Sequence, residues 1–316
     1  MGTPFISLQE PTNLDDWVRG VPHDQQAPEP RVPGVFRDAM EVREAVYVGE
    51  QGVPLAHEVD ADDARACHWV MYASVNQTTE PEVRDPDTGE VLRPRRSVTR
   101  SQPISTLRVV PFPHPPHPVD GGWYVDNVLQ QQGSTAAAAS SSTAEPARQQ
   151  QQQPGGRRQS VASPATTAQA APAYELDRET TFHDGREPYV KVGRLAVVRE
   201  FRGHRVGAQV WAAARRWLEA HPTYFNPSVA ELGLDRLGAA TTLLAPGEVP
   251  KWRGLVIAHA QESVAPLWER WGFRRDFGMG RWFEEGIPHV GMVIRLDVDR
   301  APSNAAAPVT RTPTAA

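Results

Sequence analysis

The chain has 316 residues, a net charge of −5, 30 prolines, 24 glycines and a single cysteine, Cys67. That balance excludes a basic nucleic-acid footprint and a disulfide framework, and suits a reducing compartment. No run of about 18 apolar residues predicts a membrane span, and acidic residues near the start (Glu10, Asp15, Asp16) without an apolar stretch predict neither a signal nor a transit peptide, so a cytoplasmic protein is expected.

Residues 1–34 are Pro-rich and polar, with Phe5-Ile6-Ser7-Leu8 as a candidate first strand. Phe36, Ala39, Val42 and Val46 then recur at helical spacing between charged residues. They predict a helix over 35–49, ended by Gly49 and Gly52. An acidic stretch, Glu58 to Asp63, precedes a strand at His68 to Ala73. The stretch could hold a cation, but a solvated loop capping the next element is preferred.

Residues 76–101 are polar and carry a turn signal, Asp85-Pro86-Asp87-Thr88-Gly89, so they read as an interruption. Arg93-Pro94-Arg95-Arg96 could serve nuclear import; solvated loop is the preferred reading. Ile104 to Val110 predicts a strand.

Residues 111–187 form the main interruption. They hold Pro-His-Pro-Pro-His-Pro at 113–118, a Gln/Ala/Ser tract from Gln130 and a Gln run at 149–153. Such composition buries too little apolar surface to offset chain entropy, so most of it is expected to be disordered, with local packing kept at Trp123-Tyr124-Val125. His114 and His117 could ligate a metal, but no carboxylate or cysteine stands near them in sequence, so no metal is expected.

The most informative stretch is 189–221. Val190, Val192, Leu195, Val197 and Val198 predict a strand. A basic turn, Arg199 to Arg205, surrounds Gly203. Val206, Val210, Ala213, Ala214 and Trp217 predict a helix with one apolar face, stopped at Pro222. The free N–H groups and dipole of a helix start bind anions. Gly207 lets a phosphate approach the backbone, and Arg202 and Arg205 add charge-assisted donors. A pyrophosphate is the expected ligand. The Walker-type and dinucleotide-type glycine patterns are absent.

A second insertion, 222–253, is expected to hold a short helix near Val229 to Leu237. A strand at 254–260, a helix from Gln261 to Trp271 ended by Gly272, and a hairpin over 274–296 follow. Residues 297–316 read as a disordered tail. The element order predicts an α+β fold with a mixed central sheet flanked by helices, a single domain over 35–296 interrupted by 76–101, 111–187 and 222–253.

Three segments carry a resemblance. Arg202-Gly203-His204-Arg205-Val206-Gly207 resembles the acetyl-CoA motif of the GNAT N-acetyltransferase superfamily, Gln/Arg-x-x-Gly-x-Gly/Ala, with Arg205 in place of the inner glycine. Arg43, Val46, Tyr47, Val48, Glu50, Gln51, Pro54, Glu58, Asp60, Asp63 and His68 are similar to the start of its ElaA-like branch. Gln261 with Leu267-Trp268-Glu269-Arg270-Trp271-Gly272-Phe273, and Phe283 to His289, are similar to its C-terminal elements. The three stand in the family's order.

The resemblance implies a GNAT-like acyl-CoA N-acyltransferase fold. It also implies transfer of an acetyl group from acetyl-CoA, the co-substrate, to a primary amine on a small molecule or protein. Leu195, Ala196 and Val197 would bond the pantetheine arm and Gln261 would contact it. Arg202, Gly203, His204, Arg205, Val206, Gly207 and Ala208 would hold the pyrophosphate. An amine of pKa near 10 needs a base; Glu50, His259 and His289 are the candidates. Trp268 stands where the family usually has a tyrosine that protonates the leaving thiolate, and an indole does not titrate usefully. Two alternatives stay open: a catalytically weak acetyl-CoA-binding sensor or scaffold, and an enzyme for a different acyl donor.

Overall fold

The computed structural model describes residues 4–130, 175–227 and 250–298. Eleven strands appear among them: β1 (Phe5–Gln9), β2 (Cys67–Glu80), β3 (Val83–Arg84), β4 (Val91–Arg93), β5 (Arg96–Val110), β6 (Trp123–Val125), β7 (Val128–Leu129), β8 (Val190–Val197), β9 (Leu255–Gln261), β10 (Arg274–Glu284) and β11 (Ile287–Arg295). Nine make one sheet in the order β1-β2-β5-β8-β9-β11-β10-β6-β7. Its pairings are antiparallel except β8 with β9 and β10 with β6. The α-helices are α1 (Gly34–Arg43), α2 (Leu55–Glu58), α3 (Val206–Ala220) and α4 (Ala265–Arg270). This is the expected α+β architecture, with a mixed central sheet flanked by helices.

Strand alternation explains the flanking. On β2, Cys67, Trp69 and Met71 belong to the core that holds α3, whereas Val70 and Tyr72 pack with Ala39 of α1. Side chains two apart share a face, so one strand feeds both layers. α3 buries Val206, Val210, Trp211, Ala214 and Leu218 against β2, β5 and β8. Each large apolar side chain removed from water there contributes about 1.5–3 kcal/mol. α1 continues into a π-helical turn over Glu44–Val48, from which Tyr47 reaches β8; beyond it Glu50 reaches the turn that follows β8, and Gln51 the end of β9.

Two expectations need correction. Residues 76–101 are no loop: β2 and β5 extend through them as an exposed antiparallel ribbon tipped by β3 and β4. Thr78, Thr79, Val98 and Thr99 favour extended backbone, and the turn signal closes the hairpin through Gly89 N–H to Asp85 O at 2.9 Å. Within 111–187, residues 111–130 and 175–187 are built into the fold. β6 pairs with β10, and Asp276 receives Thr180 Oγ1 and the amides of Thr181 and Phe182. Buried polar anchors hold these segments together with Phe112, Tyr124 and Phe182, which pack on the core. The Gln/Ala/Ser tract beyond Gln130, the helix expected near Val229 to Leu237 and the tail from residue 299 onward lie outside the described residues. No described helix is long and apolar enough to cross a membrane.

Candidate active site

β8 and β9 pair at Val190↔Val256, Lys191↔Ile257 and Val192↔Ala258, and then part. β8 stays on β5 and β9 stays on β11. The cause is a bulge in β8, where the register against β5 shifts between Thr106 and Arg108 and Arg194 takes a φ of 48°. An extra residue bends its strand away from the straight ladder. The V so formed opens a cleft of about 1200 Å³ through the sheet.

The turn predicted to bind pyrophosphate lines this cleft from Arg202 to Ala208, excepting His204. Val206, Gly207 and Ala208 begin α3, so their amides have no intrahelical acceptor. Arg205 occupies the N-cap with φ 57°, a left-handed conformation that suits glycine better. A Cβ on Gly207 would sit 3.5 Å from Trp271 and 3.6 Å from Val197, so a methyl fits and a larger group would enter the cleft. His204 and Arg205 are exposed.

Arg202 and Glu50, read for different roles, are paired. Arg202 Nη1 and Nη2 donate to the two oxygens of Glu50, both at 2.8 Å, and Arg202 Nε donates to Val197 O at 2.9 Å. Arg199 adds a longer contact to Glu50 at 3.4 Å. The Arg202 hydrogen bonds hold the Glu50 carboxyl below its ordinary range. Glu50 is therefore a poor proton acceptor, and Arg202 braces the turn.

The β8 carbonyls at the splay are also taken. Leu195 O accepts from Tyr47 Oη at 2.9 Å, and Ala196 O from Ser105 Oγ at 2.7 Å. Val198 N–H goes to Ile104 O on the β5 side, so by alternation the Val197 N–H turns into the splay. Across the opening Gln261 Nε2 donates to Gln51 Oε1 at 2.8 Å, tying the end of β9 to the turn after α1.

The other wall is built around a side chain the sequence reading passed over. Glu284, at the end of β10, faces the cleft. Its Oε1 accepts from Trp282 Nε1 at 2.7 Å and lies 3.2 Å from His259 Nδ1; its Oε2 lies 3.8 Å from His289 Nε2. Burial works against its charge, but His289 and His259 hold the carboxyl well below the usual range. With Nδ1–H given to Glu284, His259 Nε2 is a lone pair, buried and without a hydrogen-bond partner among the described residues. Burial lowers the His259 pKa despite Glu284, so the ring is neutral near pH 7. His289 Nδ1 lies 2.8 Å from Ile287 O. Trp268 lines the cleft, packed edge-on against Trp271 and Phe273. Glu284 falls inside the segment quoted for its family likeness; only the hairpin's register reveals that it meets His259.

The acidic stretch is neither a solvated loop nor a cation site. Arg43 Nε donates to Glu58 at 2.6 Å and its Nη1 to Asp63 at 2.7 Å. Arg108 reaches Asp60 at 2.7 Å and Asp63 at 2.8 Å, and Arg194 reaches Asp60 at 3.2 Å and Glu58 at 3.3 Å. Burial opposes ionisation of Asp63, yet Arg108 and Arg43 hold it at about 2. Three arginines, distant in sequence, neutralise the acids; Arg108 and Arg194 line the cleft floor and Arg43 is buried beneath it. The histidine run also departs from expectation: the fold carries Asp177 and His183 to His117, partners 60 and more residues away.

No family model matches the sequence, and no curated protein matches it. Solved structures do overlap. A candidate N-acetyltransferase from Lactobacillus plantarum is 16% identical, with 93% of this chain and 99% of that one covered and a TM-score of 0.38. Escherichia coli ElaA is 14% identical, over 92% and 99%, with a TM-score of 0.34. An acyl-CoA N-acyltransferase from Pseudomonas aeruginosa is 13% identical, over 92% and 99%, with a TM-score of 0.36. Overlap at this level assigns no activity; the cleft has to supply it.

Proposed function

We propose that the chain is an acyl-CoA-dependent N-acyltransferase that moves an acetyl group from acetyl-CoA to a primary amine by direct attack in a ternary complex. The observation that carries this reading is the parting of β8 and β9 after Val192↔Ala258, with a helix start at one side of the opening and an unpartnered His259 Nε2 at the other. The first-turn amides of α3 and the exposed Arg205 suit a pyrophosphate. The Val197 N–H suits a pantetheine amide or the developing oxyanion. Carboxylates of Glu284, Glu285 and Asp126 line the acceptor side and suit an ammonium ion.

In the reaction the amine nitrogen forms a bond to the thioester carbonyl carbon and the carbon–sulfur bond breaks. The ammonium first gives one proton to solvent, which frees the nitrogen lone pair; on attack the second proton passes to His259 Nε2, while Glu284 keeps the ring in the required tautomer and stabilises the imidazolium. Sulfur leaves as the thiolate, which is tolerable near neutral pH, so the non-titrating Trp268 does not stop the cycle. Tyr47 keeps its proton, since burial pushes its hydroxyl up, and it fixes Leu195. Holding amine and thioester in line supplies much of the rate.

The test is turnover of acetyl-CoA with a panel of amines, for the wild type and His259→Gln. The variant should lose about 10²–10⁴-fold in kcat and keep its acetyl-CoA affinity within a few-fold. An unchanged kcat would place the base elsewhere. Trp268 favours the sensor reading, which gains ground if acetyl-CoA binds and no amine turns over.

A further inference from the structure

His117, Asp177 and His183 play no part in acyl transfer as read above. His117 follows β5 in the Pro-rich run; Asp177 and His183 stand in the segment leading to β8. One ligand atom from each lies within 4.8 Å of the other two. The His117 side chain is fully shielded from solvent, and Asp177 is 10% exposed.

The hydrogen bonds assign the protons. His183 Nε2 lies 2.9 Å from Glu187 O and, against a carbonyl, donates. With its proton on Nε2, the His183 ring offers Nδ1 as a lone pair. His117 Nε2 lies 2.9 Å from that lone pair and donates to it. His117 Nδ1 is left as a second lone pair, buried and without a hydrogen-bond partner among the described residues. It faces Asp177 Oδ2 at 3.5 Å, so two acceptors look at each other across a dry gap. Orphaned buried acceptors are costly, and a cation among them satisfies all three groups.

The surroundings are already arranged. His183 Nε2–H on a backbone carbonyl is the outer contact that orients a metal-ligating imidazole. Asp177 Oδ2 accepts from the His117 amide at 2.7 Å and Asp177 Oδ1 from the Arg178 amide at 2.7 Å. Arg178 donates to Pro118 O and Met279 O, and Asp276 holds the turn that carries His183. Tetrahedral zinc sets its ligand atoms ~3.3 Å apart. The 2.9 Å and 3.5 Å contacts straddle that value. They use different nitrogens of His117, so binding requires that ring to rotate.

We propose that His117, Asp177 and His183 form a site for one divalent transition-metal ion of the zinc class, pinning the segment before β8 to the segment after β5. Two imidazoles and one carboxylate suit zinc. The site is independent of the acyl-transfer reading.

The test uses the full chain, stripped with a chelator and titrated with Zn²⁺ by calorimetry and with Co²⁺ by visible absorption. The wild type should take up one equivalent, show the d–d bands of a low-coordinate Co²⁺ site, and gain several degrees in Tm at saturating Zn²⁺. Asp177→Asn, nearly isosteric and able to keep the amide contacts, should bind at least about 10-fold more weakly. His57→Gln leaves the three ligands in place and should bind as the wild type does. Circular dichroism confirms that each variant is folded. Sub-stoichiometric uptake by the wild type would overturn the proposal, as would equal affinity in Asp177→Asn or an equal loss in His57→Gln.

Discussion

At the mouth of the cleft Glu50 pairs with Arg202 and Arg199, whose side chains are 43% and 74% exposed. At and beneath its floor Arg43, Arg108 and Arg194 pair with Glu58, Asp60 and Asp63, and Arg43 and Asp63 are wholly buried. The chemistry is the same and the energetics are opposite. An exposed pair is screened and exchangeable, worth about 0–1 kcal/mol. A buried network cannot lose a member without stranding a charge in a dry site. The pair at the mouth can exchange partners at little cost, while the network at the floor ties β5, β8 and α1 together.

The largest effect should come from breaking the floor. Arg43→Met takes a buried partner from both Glu58 and Asp63 and should cost about 3–5 kcal/mol in urea unfolding. A cost below about 1 kcal/mol would contradict a rigid floor. The next effect is acid loss of stability through two histidines, His68 and His259. His68 is held at about 4 and His259 is also lowered, chiefly by burial. The unfolded chain therefore binds protons that the folded chain refuses as pH falls below about 6.5. Stability present above that pH should be lost progressively on acidification. His68 alone accounts for about 2 kcal/mol by pH 5. A flat Tm between pH 7 and pH 5 would contradict it.

Smaller effects belong to the mouth. Glu50→Gln should change stability by no more than about 0.5 kcal/mol. It frees Arg202 for phosphate, so acyl-CoA should bind as tightly or a few-fold tighter; a large loss of binding would make Glu50 a ligand contact. Arg205→Gly should relieve the left-handed residue at the α3 N-cap. The gain is at most about 1 kcal/mol, partly offset by glycine's extra chain entropy, and thermal melts would detect it.

What the sequence made legible was local. Strand, turn and helix over 189–221 are contiguous, so β8 and α3 begin and end close to where periodicity and Pro222 put them. Polarity misled at 76–101, because a solvent-exposed β-ribbon needs no apolar face and its residues read as loop. The acids at 58–63 looked solvated because their arginines lie at positions 43, 108 and 194. His117 looked isolated because Asp177 and His183 are remote in sequence. Glu284 was visible but silent: its meeting with His259 depends on how β9, β11 and β10 pair. Pairing of distant strands is the information that spacing along one strand does not carry.

The decisive measurement is calorimetric titration of acetyl-CoA into the purified chain and into Gly207→Trp, with NADPH as a control. The wild type should bind acetyl-CoA at roughly micromolar Kd and ignore NADPH. Gly207→Trp, whose indole would enter the cleft beside Trp271 and Val197, should keep its fold and lose binding. No binding by the wild type at roughly millimolar acetyl-CoA, or normal affinity in the variant, would contradict the assignment of the cleft and its helix start.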